Sequence, residues 1–163
     1  MDKTERLTIL GLGNILLEDE GFGVHFIRYI AGRYRFEGDV RIVDGGTLGY
    51  RLLDTVCSAG RIIAIDVIKV NDEPGSIYRF DRHEMELHMP DPTSAHEVEF
   101  LDVLYQAEIM GELPETTFLC IVPESYGTMK LEMTERMKES FPAMERLLLD
   151  ELKTLGVTWS EVR

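Results

Sequence analysis

Four ionisable side chains stand where this sequence can do chemistry: Glu20, Asp44, Asp66 and His96. Asp66 interrupts an otherwise apolar run, IIAIDVI (62–68). A carboxylate at the end of a buried strand is costly unless it has a partner, so Asp66 is either bound to a cation or accepting loop donors. Glu20 closes the acidic knot Glu18-Asp19-Glu20 inside LGLGNILLEDEGFGVHFI (10–27), Asp44 ends VRIVDGG, and His96 follows Ser94 at a helix start. Each has a plain reading alone. Glu20 suits a helix dipole, Asp44 organises a turn, and His96 sits in solvent. Two of these carboxylates with the one imidazole would form a donor set for a borderline divalent ion such as zinc, nickel or iron(II). Three ligands leave coordination positions open.

Whether these groups meet depends on the elements that carry them. RLTILGLG (6–13) reads as a buried strand, followed by a helix from Asp19 to Gly32 with Phe22, Phe26, Ile27 and Ile30 at helical spacing. VRIVDGG (40–46) is a second strand, with a helix from about Leu48 to Ser58 behind it. RIIAIDVI (61–68) is the third and most apolar strand, and SIYRF (76–80) follows a turn at NDEPG. PDPTS (90–94) breaks the chain before a helix opened by the Ser94/Glu97 capping box, whose apolar face is Val98, Leu101, Tyr105 and Ile109. TTFLCIV (116–122) is a further strand. A last helix spans about Met133 to Leu155, kinked or split at Pro142. Strands alternating with helices predict an α/β fold, a mainly parallel twisted sheet covered on both faces, in one domain over residues 1–163. If the sheet is parallel, the four candidate groups share its carboxyl edge, where such folds bind ligands.

Three other chemistries lack their residues. Gly11-Leu12-Gly13 begins a dinucleotide fingerprint, but position 16 is Leu16 and the loop is acidic, which repels a pyrophosphate. HEMELH (83–88) has one residue too many for a zinc-protease helix. His83 and His88, five apart, do not share a helical face, and the segment before two prolines reads as a solvated loop. His25, inside the first helix, reads as a packing residue. No G-x-S-x-G surrounds Ser125.

Composition narrows the partners. The formal net charge is −13 and the 17 Lys and Arg are scattered, so neither nucleic acid nor an anionic membrane is expected. The acidity fits plain solubility or a cationic partner. No leader-like apolar stretch opens the chain, and no run reaches membrane-spanning length. Cys57 and Cys120 lie in apolar settings and read as reduced core thiols of a cytoplasmic protein.

GLGNILLEDEGFGVHFI, DGGTLGYRLLD, IIAIDVI, the SAHE segment with FLDVL behind it, and IVPES occur in that order. They resemble the [NiFe]-hydrogenase maturation endopeptidases, most distinctively in the block G-x-G-N-x-L-x-x-D-E-G-x-G at residues 11–23. The resemblance implies a cytoplasmic, single-domain α/β protease. Its partner is the nickel-loaded precursor of the hydrogenase large subunit, from which it clips a C-terminal extension. By motif position the metal-contacting residues are Glu20, Asp66 and His96. The resemblance further implies no tightly held catalytic metal; the nickel is borrowed from the substrate. Hydrolysis needs an activated water and a polarised carbonyl, and Asp66 or Asp44 is the expected general base. The substrate's nickel either positions the segment to be cut or polarises its carbonyl. Two alternatives use the same ligands: a self-contained zinc hydrolase, and a nickel-binding chaperone that does not cut.

Overall fold

The apolar runs form the centre of the molecule. The computed structural model describes residues 5–88 and 95–163. Its elements follow in the order β1 (Leu7–Leu12), α1 (Phe22–Arg33), β2 (Tyr34–Phe36), β3 (Val40–Gly46), α2 (Leu53–Ser58), β4 (Arg61–Val67), β5 (Ile77–Asp81), α3 (Arg82–His88), α4 (Ala95–Ile109), β6 (Glu115–Ile121), α5 (Glu135–Glu139), α6 (Phe141–Thr154) and β7 (Trp159–Glu161). Short 3-10 turns, Asp19–Gly21 and Gly49–Leu52, lead into α1 and α2.

Five strands form one sheet in the order β3-β1-β4-β6-β5. β1, β3, β4 and β6 are parallel, and β5 runs antiparallel on the edge beside β6. β2 and β7 make a separate antiparallel pair that ties the chain's last residues to the end of α1. One face of the sheet is covered by α1, α5 and α6. There Phe22, Phe26 and Ile30 pack with Ile63, Ile65, Val67, Met144, Leu148 and Leu152. Leu52, Val56, Phe100, Val103, Leu104 and Ala107 cover the other face, over Ile62, Ala64 and Phe118. Strand side chains alternate in direction. Asp66 is therefore on the Ile62–Ala64 side, the side roofed by α2 and α4.

The connection from β1 goes to β3 on one side, and the connection from β3 crosses to β4 on the other. Strand order thus reverses between β1 and β4. Their carboxyl ends splay apart there, the position at which open α/β sheets bind ligands.

Several elements differ from the sequence expectation, each for a local reason. HEMELH is helical, within α3. Asp81 caps it: the Glu84 N–H donates to Asp81 Oδ1 at 2.8 Å, and the Asp81 N–H donates to Glu84 Oε2 at 2.9 Å. This reciprocal D-x-x-E box satisfies two backbone donors and Met85 buries beneath it. His83 remains exposed, as expected. The buried face of α4 is Phe100, Val103, Leu104 and Ala107, whereas Tyr105 is 44% and Ile109 86% exposed. The true set is spaced i, i+3, i+4, i+7; of the expected residues Leu101 packs at its margin, and Tyr105 and Ile109 lie outside it. Arg82 stacks over the Tyr105 ring at 4.8 Å, covering what the core does not. The Ser94/Glu97 box lies outside the described residues and side chains; α4 begins at Ala95. Pro142 splits the last helix, as expected, and sits in the first turn of α6, where its missing N–H costs no bond.

Close backbone approach at the strand-order reversal requires glycine. A Cβ on Gly23 would lie 2.1 Å from the Ile65 carbonyl oxygen and 2.3 Å from that of Leu12. The start of α1 therefore rests directly on the β1 and β4 backbones, beside Asp66. Gly23→Ala is expected to lose about 2 kcal/mol of stability or more in urea unfolding, because both neighbours are main chain and cannot yield. A midpoint equal to that of the unaltered protein would contradict this packing.

Candidate active site at the carboxyl edge of the sheet

The loop after β1 folds back on itself. Gly13 has φ +131°, and a Cβ there would sit 1.8 Å from the Glu20 carbonyl oxygen. Asn14 starts the return by accepting the Leu16 N–H on its side chain at 3.0 Å. Glu18 holds φ +50°, the one positive-φ non-glycine residue among those described. Such a conformation persists only where the surroundings hold it.

The three consecutive acids have three different fates. Glu18 accepts the Ser125 hydroxyl proton and lies 3.2 Å from Lys130 Nζ. The Ser125 hydrogen bond holds the Glu18 carboxyl below its ordinary range; burial opposes this and Lys130 assists it. Asp19 is wholly buried. Its Oδ2 accepts the backbone N–H of Glu124 at 3.1 Å and of Ser125 at 2.8 Å, and its Oδ1 that of Thr134 at 2.8 Å. The Thr134 hydroxyl adds contacts at 3.1 and 3.0 Å. Glu20, 6% exposed, meets Lys69 Nζ at 2.8 Å.

Asp66 is 2% exposed at the end of β4, and its Oδ1 accepts the Val67 N–H at 2.8 Å. The turn carrying Glu20 packs against β4. Glu20 and Asp66 thus come to the same edge, from the loop after β1 and the end of β4. His96 lies in the first turn of α4. Three residues on, Glu99 packs against Gly49 in the turn that follows β3, so α4 starts at this same edge. The His96 side chain lies outside the described side chains. Among the described residues, no three His, Cys, Asp or Glu side chains form a group that could hold a metal. The donor chemistry, two buried carboxylates beside the helix start that bears an imidazole residue, fits a borderline divalent ion.

Asp44 is also at this edge, with Oδ2 2.6 Å from an Arg28 guanidinium nitrogen and its side chain 41% exposed. The pair borders a cavity of about 290 Å³ lined also by Gly13, Asn14, Val24 and Thr47. His25 is near this pair: its Nε2 is buried without a hydrogen-bond partner, and its charged form is disfavoured by burial first and then by Arg28, against Asp44. α3 is elsewhere. Its first residue, Arg82, pairs with Glu108 at 2.7 Å, near the end of α4 opposite His96. His83 therefore starts from the far edge of the sheet.

Sequence reasoning named Glu20, Asp44, Asp66 and His96 but missed Asp19, Lys69 and Arg28. Asp19 was visible only as the D of D-E-G. Its function needs residues 124–134, more than 100 positions away, which no local pattern reveals.

The sequence profile of the hydrogenase maturation proteases matches residues 24–151. The hydrogenase 2 maturation protease of Escherichia coli is 33% identical over 146 residues, covering 88% of this chain and 88% of that protein. The hydrogenase expression/formation protein HupD of Rhizobium leguminosarum is 37% identical over 154 residues, covering 93% of this chain and 76% of that one. Among solved structures, the hydrogenase maturating endopeptidase HybD from E. coli superimposes with a TM-score of 0.90 at 28% identity, over 96% of this chain and 97% of that one.

Asp19→Asn tests the loop anchor. An amide presents a donor toward backbone N–H groups that can only donate, so a loss of about 2–4 kcal/mol is expected in urea unfolding. Amide exchange should speed up at residues 124–134. Unchanged stability and protection would show that the loop is held by other contacts.

Proposed function

This chain belongs to the hydrogenase maturation protease family and is a peptidase, and from that premise we propose what it cuts and how. Its substrate is the precursor of a [NiFe]-hydrogenase large subunit. It removes a C-terminal extension once nickel is in place, in the cytoplasm. The observation that carries this reading is that Glu20 and Asp66, both buried, come to the same sheet edge at the strand-order reversal, where the helix that bears His96 starts. Buried carboxylates at an open edge are arranged for a cation. The family's role in hydrogenase maturation supports reading that cation as the nickel of the substrate.

In this reading Glu20, Asp66 and His96 contact nickel that arrives already bound in the precursor. The net charge of −13 favours approach of a cationic centre. The peptide to be cut lies along the cavity between the loop after β1 and the end of β3. Asp44 stands at the border of that cavity with side-chain surface open to water. It acts as the general base that takes a proton from the attacking water, and Arg28 fixes its orientation. Asp66, committed to nickel, is the other candidate for the base. Nickel places the scissile carbonyl against that water or draws charge from it. No helix among the described residues is long and apolar enough to cross a membrane, and neither cysteine is in a disulfide. Both facts are compatible with a cytoplasmic site of action.

The test is cleavage of purified precursor, read as loss of C-terminal mass. The nickel-loaded form should be cut. The nickel-free form should not, even with added zinc. Glu20→Gln, Asp66→Asn and His96→Ala should each lower the rate by at least roughly 10- to 100-fold, the range lost when even a group that only orients a metal ligand is removed. Asp44→Asn should lower turnover by about 100-fold or more while leaving precursor binding intact. Efficient cutting of nickel-free precursor would overturn the nickel requirement. Full activity of Asp44→Asn would reduce that residue to a turn former.

A further inference from the structure

Glu20 is not waiting with an empty carboxylate. Lys69 Nζ lies 2.8 Å from its Oε1, and the two side chains are only 10% and 7% exposed. Lys69 also lies 4.2 Å above the centre of the Tyr126 ring. It stands two residues beyond the end of β4, three residues after Asp66. An ammonium thus occupies the cation side of one nickel-contacting residue from within a tether that begins at the other.

We propose that Lys69 is the internal counter-ion of Glu20, and that a divalent cation reaches the site only by displacing it. This rests on the reading that Glu20 meets nickel. A divalent ion binds a carboxylate oxygen at about 2.0–2.2 Å. A second cation 2.8 Å from the same oxygen would then suffer like-charge repulsion at close range in a poorly solvated place. The two cannot share Oε1, and a metal on Oε2 alone would still face the ammonium across one carboxylate in a poorly solvated place, so strong binding requires Lys69 to leave.

The structure offers it a destination. The lysine stem is four flexible carbons, and the Tyr126 face, half exposed, already attracts the ammonium. The ammonium already lies 4.2 Å above that ring, so Lys69 keeps this contact when it releases Glu20.

The consequence is selectivity. Breaking a largely buried ion pair is costly. A free metal ion must meet that cost alone and binds weakly. Nickel carried by a folded precursor comes with a whole docking surface, which offsets it. Lys69 is therefore a specificity residue that favours substrate-borne metal over free metal, and keeps Glu20 compensated in between.

Calorimetric titration of the purified full chain with nickel chloride alone tests this, with thermal melts to confirm folding. Lys69→Met is expected to bind nickel roughly tenfold tighter or more than the unaltered protein. Lys69→Arg, which keeps the charge, should stay weak. Adding Glu20→Gln to Lys69→Met should abolish the gain. Lys69→Gln replaces the Met variant if that one does not fold. Affinity in Lys69→Met no tighter than the unaltered protein, or no binding in either, would overturn the proposal. So would a gain that survives Glu20→Gln. The failure is separable from that of the nickel reading. Loss of nickel-dependent cleavage in Glu20→Gln, together with unchanged affinity in Lys69→Met, sinks the counter-ion and leaves the nickel contact standing.

Discussion

The Asp19 carboxylate, wholly buried and accepting three backbone N–H groups from a loop more than 100 residues away, is the contact on which the site depends. Charge-assisted bonds of this kind are roughly twice as strong as neutral ones, and here they join two loops with no secondary structure between them. The join is extended by two short bridges, Leu17 with Lys130 and Glu18 with Tyr126. It makes the strained backbone at Glu18 tolerable, because that residue is held from both sides. With Asp19 anchored inward and Glu18 turned to Ser125, the next residue, Glu20, is delivered to the sheet edge. The loop needs three acids in a row because each one serves a different partner.

The glycines complete this logic from the other direction. Gly13 lets the Glu20 carbonyl fold down onto the end of β1, and Gly23 lets α1 rest on β4 at Ile65. Both contacts are too close for any side chain. They shorten the distance between the loop that carries Glu20 and the strand that carries Asp66. The block G-x-G-N-x-L-x-x-D-E-G-x-G thus describes one folded object. It contains a reversal, an anchor, a candidate site residue and a helix start laid against the sheet.

Much of this was legible in the sequence. The parallel strands announced themselves as short apolar runs ending in Gly or Asp, and their alternation with helices placed Glu20, Asp44 and Asp66 on one edge. Asp66 stood out because a charge inside IIAIDVI needs a partner, either a cation or backbone donors. What was not legible depended on contacts distant along the chain. The Asp19 anchor needs Thr134, the Glu20 partner needs Lys69, and the Asp44 partner Arg28 sits a helix turn from any motif. α3 was misread because the prolines after it outweighed its Asp81–Glu84 cap. The face of α4 was misread because Tyr105 and Ile109 are apolar in type yet lie outside the sheet contact.

The central claim is that Glu20 and Asp66 meet the nickel of a bound precursor. X-ray absorption at the nickel edge measures this directly. Spectra of nickel-loaded precursor should change when the protein is added, gaining oxygen or nitrogen ligands in the first coordination shell. The change should be lost with the Glu20→Gln/Asp66→Asn double variant, provided that the variant still binds the precursor. A nickel spectrum unaltered in a complex shown to have formed would contradict the account.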